Sequence, residues 1–192
     1  ITDHRFLRVL DLLEDEQGMH VVVREWARAT PLSALLAQSP LPNSRTVAIV
    51  AEVADALATA HEQGLHHRRL TPHQVLIKES GAVRIVGLGV ATALAPVDHH
   101  DSADDLRAYE AADVAALGKL LYACLVSRWP GGHCDGLRAA PTEHGRLLRP
   151  RQVRAGVARD LDAISSRILN PRTPAHLSSA REVAQVLHVV HD

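Results

Sequence analysis

The chain has 192 residues, of which 46% are hydrophobic and 22% are charged, and its formal net charge is −1. This length and apolar content are enough for a buried core and argue against wholesale disorder. The balanced charge does not favour a nucleic-acid partner, and no apolar run is long enough to span a membrane. Two cysteines, Cys124 and Cys134, are too few for a disulfide framework and lack metal-ligand spacing, so we expect a cytoplasmic protein without a bound metal.

The first third of the chain predicts a hairpin followed by two helices. Residues 6–13 and 19–23 are apolar runs on either side of an acidic turn that ends in glycine, which is typical of a β-hairpin. Residues 31–38 predict a short helix with Thr30 as its N-cap and proline at its first position. Residues 42–63 predict a long helix, capped by Asn43 or Ser44 at its start.

The rest of the chain alternates between loops and helices. Residues 75–77 and 83–86 flank a turn and predict a second hairpin. We expect the polar residues 95–109 to form a loop and residues 113–126, which are apolar on nearly all sides, to form a buried helix. Residues 131–150 predict a loop with one short helix. Residues 159–169 predict an amphipathic helix, and a capping box from Ser179 to Glu182 predicts the start of the last helix.

Several motifs have both a chemical and a structural interpretation. His66–His67 and His99–Asp101 could bind a metal, but adjacent side chains diverge and no further ligand has the right spacing. A cation at Asp104–Asp105 and a Cys134–His133 nucleophile are less favoured than plain loop residues. The arginine-rich residues 146–154 (RLLRPRQVR) could contact phosphate or acidic partners, although a solvated surface is the simpler interpretation.

Residues 64–89, GLHHRRLTPHQVLIKESGAVRIVGLG, resemble the catalytic and magnesium loops of bacterial Hanks-type serine/threonine protein kinases. In those enzymes the two loops read H-R-D-L-x-x-x-N and D-F-G. Residues 21–26 and 113–130 resemble the hinge and the central helix of the same family. The resemblance implies an α+β, protein kinase-like fold. Residues 1–27 would form a partial N-lobe (the fourth and fifth strands of that lobe) with the hinge, and residues 28–192 an α-rich C-lobe with short β-hairpins.

The resemblance also shows where chemical groups have changed. Arg69 stands where the family has its catalytic Asp, and Thr71 stands where it has a Lys. Gln74 replaces the Asn, and Gly87 replaces the Asp that binds magnesium. A guanidinium cannot accept a proton near neutral pH, and glycine offers no carboxylate. The resemblance therefore implies a pseudokinase: a protein that is not an enzyme and that holds no cofactor.

Other residues carry over as pocket or framework positions. Arg24 falls at the gatekeeper position, where it would narrow the nucleotide pocket. The vestigial pocket that this implies consists of Arg24, Glu25, Trp26, Ala27, Leu76 and Val86. His67 and Leu88 would belong to the hydrophobic spine, and Asp113 would hold the backbone of the loop at His67–Arg68.

The implied role is that of a cytoplasmic protein-binding scaffold controlled by phosphorylation. A narrower resemblance, to the kinase-like domain associated with the MviN-type lipid II flippase, implies a role in cell-wall synthesis and fusion to or association with a membrane protein. The expected partners are an active Ser/Thr kinase and a phosphothreonine-reading domain, with Thr173 as the preferred phosphoacceptor. The alternatives are a metal-independent nucleotide-binding switch, an atypical kinase, and a structural subunit that dimerises.

Overall fold

The computed structural model describes residues 2–191, so the outer ends of the two predicted domains, Ile1 and Asp192, lie outside the described residues. Helices and strands are mixed, as the α+β prediction requires. The helices are α1 (Leu32–Gln38), α2 (Asn43–Glu62), α3 (Val90–Ala93), α4 (Ala103–Val126), α5 (Pro150–Val153), α6 (Arg159–Leu169) and α7 (Ala180–His191). The strands are β1 (Val9–Glu14), β2 (His20–Arg24), β3 (Thr30–Pro31), β4 (Val75–Ile77), β5 (Val83–Ile85), β6 (Arg128–Trp129), β7 (Arg138–Ala139), β8 (Thr142–Glu143) and β9 (Arg146–Leu147).

The strands form four small sheets. β1 and β2 pair in antiparallel register, which confirms the first predicted hairpin, and β4 and β5 confirm the second. β3 adds a third strand beside β4, with Thr30 opposite Ile77. β6 and β7 are parallel, whereas β8 and β9 form a short antiparallel hairpin. The β1–β2 hairpin is exposed on both faces, while β4 is buried along its length.

The core is helical and is built around α4. From Val114 to Val126 this helix is buried on most sides, as its apolar sequence predicts. It packs against α2 and α6, and α2 in turn packs against α7. Gly118 allows the close approach of α6, because a Cβ added there would lie 2.6 Å from Cγ2 of Ile168. Cys124 is fully buried in α4, and burial raises the pKa of its thiol to about 12.

The N-terminal part of α4 corrects the prediction of a loop over residues 95–109. The helix begins at Ala103, ten residues before the apolar stretch. Ser102 is its N-cap: Oγ of Ser102 accepts a hydrogen bond from the Asp105 amide at 3.1 Å, and Asp105 accepts one from the Ser102 amide at 2.8 Å. This capping box satisfies two of the free amides at the helix start, and the extension is polar because it is largely exposed.

Two predicted N-caps are also wrong. Thr30 lies in β3 rather than at the start of α1, where Pro31 occupies the cap position without a side-chain bond. Neither Asn43 nor Ser44 caps α2, which starts after Pro42. The Asn43 side chain instead ties α2 to the segment before α6: its Nδ2 donates to the Gly156 carbonyl, and its Oδ1 accepts from the Ala158 amide.

The segment between α4 and α6 is more regular than the predicted loop, since it contains four short strands and α5. The amphipathic helix predicted over residues 159–169 is confirmed as α6. At the start of α7, Oγ of Ser179 accepts from the Glu182 amide, but Glu182 bonds the amide of Ser178 rather than that of Ser179. Across residues 2–191, no helix has both the length and the apolar content needed to cross a membrane.

Candidate functional site

The loop at residues 67–74 is held by a buried carboxylate on α4. The Asp113 side chain is fully buried, and its two oxygens accept hydrogen bonds from the His67 amide at 2.8 Å and the Arg68 amide at 2.7 Å. His61 of α2 brings its Nε2 within 2.8 Å of Oδ2 of Asp113. A buried carboxylate needs such partners, and here they fix the loop against two helices of the core.

His67 lies beneath this loop and links it to the residue that follows β5. Its ring is buried, with Nε2 at 2.6 Å from the Val86 carbonyl and Nδ1 at 3.3 Å from the Arg69 amide. The carbonyl can only accept and the amide can only donate, so the ring is neutral with its proton on Nε2. Burial lowers the pKa of His67, which agrees with this neutral form.

Gln74 and Gly87 meet at the back of the site. Oε1 of Gln74 accepts a hydrogen bond from the Thr71 amide at 3.0 Å and closes the short 3-10 turn Pro72–Gln74. Gly87 has a φ of +97°, and a Cβ added there would lie 3.2 Å from Nε2 of Gln74 and 3.3 Å from Nε2 of His67. A side chain at residue 87 would therefore press on two neighbouring side chains, which would have to shift by a few tenths of an ångström.

The guanidinium of Arg68 is positioned by an aromatic ring on the extension of α4. Its Cζ lies 3.7 Å from the centroid of the Tyr109 ring, within range of a cation–π interaction. The Tyr109 hydroxyl donates to Oδ1 of Asp101 at 2.8 Å, and Nε2 of His99 lies 3.0 Å from the same oxygen. The hydrogen bond to Asp101 raises the pKa of Tyr109. Because Arg68 has a φ of 74°, its backbone is in the left-handed region, and the Asp113 bond to its amide helps to hold it there.

These groups surround a cavity of about 610 Å³, a size suited to a small-molecule ligand. Its polar lining comes from three arginines, two histidines and one side-chain amide: Arg24, Arg68, Arg69, His67, His99 and Gln74. No Asp or Glu is among the described residues that line it. Apolar side chains from β2, from Val86 after β5, and from α3 and the residues that follow it complete the wall. A cavity rich in arginine and without carboxylates suits an anion and offers poor ligands for Mg²⁺.

Only part of the predicted pocket lines this cavity. Arg24 and Val86 do so, together with the changed positions Arg69, Gln74 and Gly87. Thr71 is not among the described residues that line the cavity. The same is true of four predicted pocket residues: Glu25, Trp26, Ala27 and Leu76. Glu25 instead pairs with Arg8, the Trp26 side chain is 82% exposed, and Leu76 is buried in its sheet.

Arg24, which is predicted to narrow the pocket, is one of the residues that line the cavity. It is exposed, and its Nη1 donates to the Glu25 carbonyl at 3.2 Å while the side chain forms part of the wall. Leu88 is half-buried and packs against the hydrophobic core. Thr173, the predicted phosphoacceptor, is half-buried in a turn in which its amide donates to the Asn170 carbonyl.

The motifs considered for metal binding have other contacts. His66 stacks on His61, with ring centroids 4.9 Å apart, and Asp105 caps α4. In the part of the chain that the structure describes, no three His, Cys, Asp or Glu side chains are grouped so as to hold a metal ion.

Sequence reasoning missed the cluster of Arg68, Tyr109, Asp101 and His99. The sequence predicts a loop over residues 95–109, and a loop gives no reason for Tyr109 to approach Arg68. The capping box at Ser102–Asp105 was the available signal, since it starts the helix that carries Tyr109 to the loop.

Comparison with known proteins identifies the class to which this fold and site belong. Residues 2–130 match the family model described as "Protein kinase domain". Among curated proteins, the serine/threonine-protein kinase PknH of Mycobacterium tuberculosis (strain H37Rv) is 27% identical over 169 residues, covering 78% of this chain and 26% of the relative. PrkC of Bacillus subtilis is 27% identical over 143 residues (67% and 22%), and PknE of M. tuberculosis (strain H37Ra) is 30% identical over 149 residues (68% and 25%).

This chain belongs to the protein kinase family, which confirms the predicted kinase-like fold and the resemblance to bacterial Hanks-type kinases. It spans about a quarter of the length of these curated relatives. The prediction that the chain is not an enzyme is wrong on this comparison, because the relatives are named as serine/threonine-protein kinases.

Proposed function

We propose that this chain is a regulatory member of the bacterial Ser/Thr kinase family whose cleft binds a nucleoside di- or triphosphate without a divalent metal. The observation that carries the proposal is the cavity of about 610 Å³, whose described lining contains three arginines and no carboxylate. In a kinase with the usual loops, carboxylates hold magnesium, and magnesium neutralises the phosphates. Here arginine side chains would neutralise the phosphates directly.

The geometry around Arg68 and Arg69 supports this role. The Arg68 guanidinium rests on the Tyr109 ring, and its backbone is tied to Asp113, so it loses little freedom when a phosphate binds. Arginine forms paired, charge-assisted hydrogen bonds with phosphate oxygens. Gly87 removes the carboxylate that would repel a phosphate in the absence of metal.

Direct titration of the purified chain with ADP in EDTA tests the proposal. We expect saturable binding, and we expect Arg69→Ala to weaken it by about tenfold or more, since it removes one charge-assisted contact. Arg45→Ala, which removes an exposed arginine on α2, is the matched control and should leave the affinity unchanged. Binding that appears only after magnesium is added, or that is equally strong in the Arg69→Ala variant, would contradict the proposal.

Phosphoryl transfer by an atypical route is the second candidate function, and His99 favours it. His99 lines the cavity and bonds Asp101, an arrangement that can orient an imidazole as a proton acceptor. Arg69 cannot take that role. Incorporation of phosphate from labelled ATP into a protein substrate, lost in His99→Gln and retained in His100→Gln, would support this candidate. Equal incorporation in the two variants would count against it.

We further propose that nucleotide binding changes how the chain binds its protein partners. The partners we propose are an active Ser/Thr kinase and a phosphothreonine-reading domain, with Thr173 as the phosphoacceptor. A cytoplasmic location and a role in cell-wall synthesis, beside an MviN-type flippase, belong to the same proposal and rest on sequence resemblance. Co-purification of the chain with such a flippase, lost on Thr173→Ala and kept on Thr142→Ala, would support it.

A further inference from the structure

A second cavity, of about 570 Å³, lies on the helical part of the chain. It is formed by residues 146–150 on one side and by the end of α6 with residues 170–172 on the other, and Tyr122 of α4 also lines it. It shares no lining residue with the first cavity, so the two are separate sites.

Its polar lining is cationic. Three arginines, Arg146, Arg149 and Arg172, line it together with Ser165, Ser166 and Asn170, and its described lining includes no Asp or Glu. Within residues 2–191, neither Arg146 nor Arg172 forms an ion pair, although Glu143 lies opposite Arg146 in the β8–β9 hairpin. Arg149 is partly balanced by Asp162, whose Oδ2 lies 3.8 Å from its Nη1.

The Asp162 carboxylate is not among the residues that line the cavity, and it already accepts a hydrogen bond from the backbone. It is buried, and its Oδ1 accepts a hydrogen bond from the Arg151 amide at 2.9 Å. The hydroxyl of Tyr122 is also engaged, because it donates to the Leu148 carbonyl at 2.8 Å. Burial raises the pKa of Tyr122 to about 12, so it adds no negative charge near neutral pH. The cavity therefore keeps a positive balance.

The arginines of the segment 146–154 therefore have two different roles. Arg154 is structural: its Nη1 donates to the Leu125 carbonyl at 2.5 Å and to the Leu41 carbonyl at 3.3 Å. Arg146 and Arg149 instead line the cavity, where the side chain of Arg149 is 63% exposed. Arg146 forms no ion pair among the described residues, and Arg149 has only its 3.8 Å contact with Asp162, so both guanidinium groups can still bind a ligand.

Apolar side chains lie beside these charges. Leu147, Leu148 and Leu169 line the same cavity, and Pro150 and Pro171 lie at its two sides. A free phosphate ion would use the arginines and leave this apolar surface uncovered. A peptide that carries a phosphate next to an apolar residue would use both, and clusters of arginine are a common means of recognising phosphorylated segments.

We propose that this second cavity is a docking site for a phosphorylated peptide segment of a partner protein. Arg146 and Arg172 bind the phosphate, and Leu147 and Leu169 contact the apolar residue beside it. The cavity's volume of about 570 Å³ and the chain's net charge of −1 favour an inserted peptide over a flat polyanion such as a nucleic acid or a membrane surface.

Fluorescence anisotropy with the whole chain tests whether the second cavity binds a phosphorylated peptide. The probe is a short labelled peptide with one phosphothreonine between two leucines, and its unphosphorylated twin is the reference. We expect the phosphorylated peptide to bind at least about tenfold more tightly than the twin, and the Arg146→Ala, Arg172→Ala double variant to lose that preference. Arg45→Ala on α2 and Arg24→Ala in the first cavity should both retain it.

Several results would overturn the proposal. Equal binding of the two peptides would do so, as would a phosphopeptide preference that survives the double variant or disappears in Arg24→Ala. Inorganic phosphate that competes as strongly as the peptide would show a simple anion site. Binding to phosphatidylserine vesicles that the double variant abolishes, without any phosphopeptide preference, would show a membrane-binding surface instead. A melting curve for the double variant, unchanged from that of Arg45→Ala, verifies that it is folded.

Discussion

Replacing Asp113 by asparagine should destabilise the protein although it only exchanges one carboxylate oxygen for an NH₂ group. In the native chain the buried carboxylate accepts from two backbone amides, at 2.7 and 2.8 Å, and from His61 at 2.8 Å. Asparagine can accept through one atom only, so its NH₂ group must face at least one of these donors. The variant loses one or two hydrogen bonds to a charged acceptor and leaves an amide of the loop unsatisfied.

Each such loss costs about 1.5–3 kcal/mol, so losing one or two of these bonds should cost about 1.5–6 kcal/mol. For a domain of this size the melting temperature should fall by about 3–24 °C. Urea denaturation followed by circular dichroism measures the free energy of unfolding. Asp98→Asn, at an exposed loop position, is the control and should stay within about 0.5 kcal/mol of the parent. A loss below about 1 kcal/mol for Asp113→Asn would refute the view that this carboxylate organises the loop.

Two further predictions concern the same loop. Gly87→Ala should lower the free energy of unfolding by about 1 kcal/mol more than Gly64→Ala does. Both glycines have positive φ, but only at Gly87 would the new Cβ meet side chains, at 3.2 and 3.3 Å. Equal unfolding free energies for the two variants would contradict this. Burial lowers the pKa of His67 in the folded state, so below about pH 6.5 the unfolded state binds more protons than the folded state does. The contribution of His67 to the free energy of unfolding should therefore be fully present above about pH 6.5 and fall as the pH drops below that value. His67→Leu should flatten this pH dependence, measured as the free energy of unfolding from about pH 7 to pH 5, and an unchanged slope would show that His67 is not its source.

Sequence patterns predicted the elements whose periodicity is strong. The hairpins, α6 and the buried part of α4 follow directly from apolar runs and helical spacing. The N-terminal part of α4 was missed because it is polar and exposed, and its only local signal is the capping box at Ser102. The residue type of Asn43 favours a helix cap, but its side chain bonds a segment more than 100 residues away.

The site was predictable in its residues but not in its contacts. Resemblance placed Arg69, Gln74 and Gly87 together, and all three line the first cavity. It could not show that Gln74 closes the 3-10 turn, or that Arg68 rests on Tyr109. Those contacts depend on the backbone path of α4 and of the loop, which local sequence does not specify. The second cavity joins residues 146–150 with 170–172, which only the packing of α6 brings together.

The most direct measurement of the central claim is the melting temperature of the chain with ATP, in EDTA and in excess magnesium. A ligand at 100 times its dissociation constant stabilises by about 2.7 kcal/mol, or about 5–10 °C here. If arginines replace the metal, the shift should be the same in EDTA as in magnesium and should shrink in Arg69→Ala. No shift, or a shift that requires magnesium, would contradict metal-independent nucleotide binding.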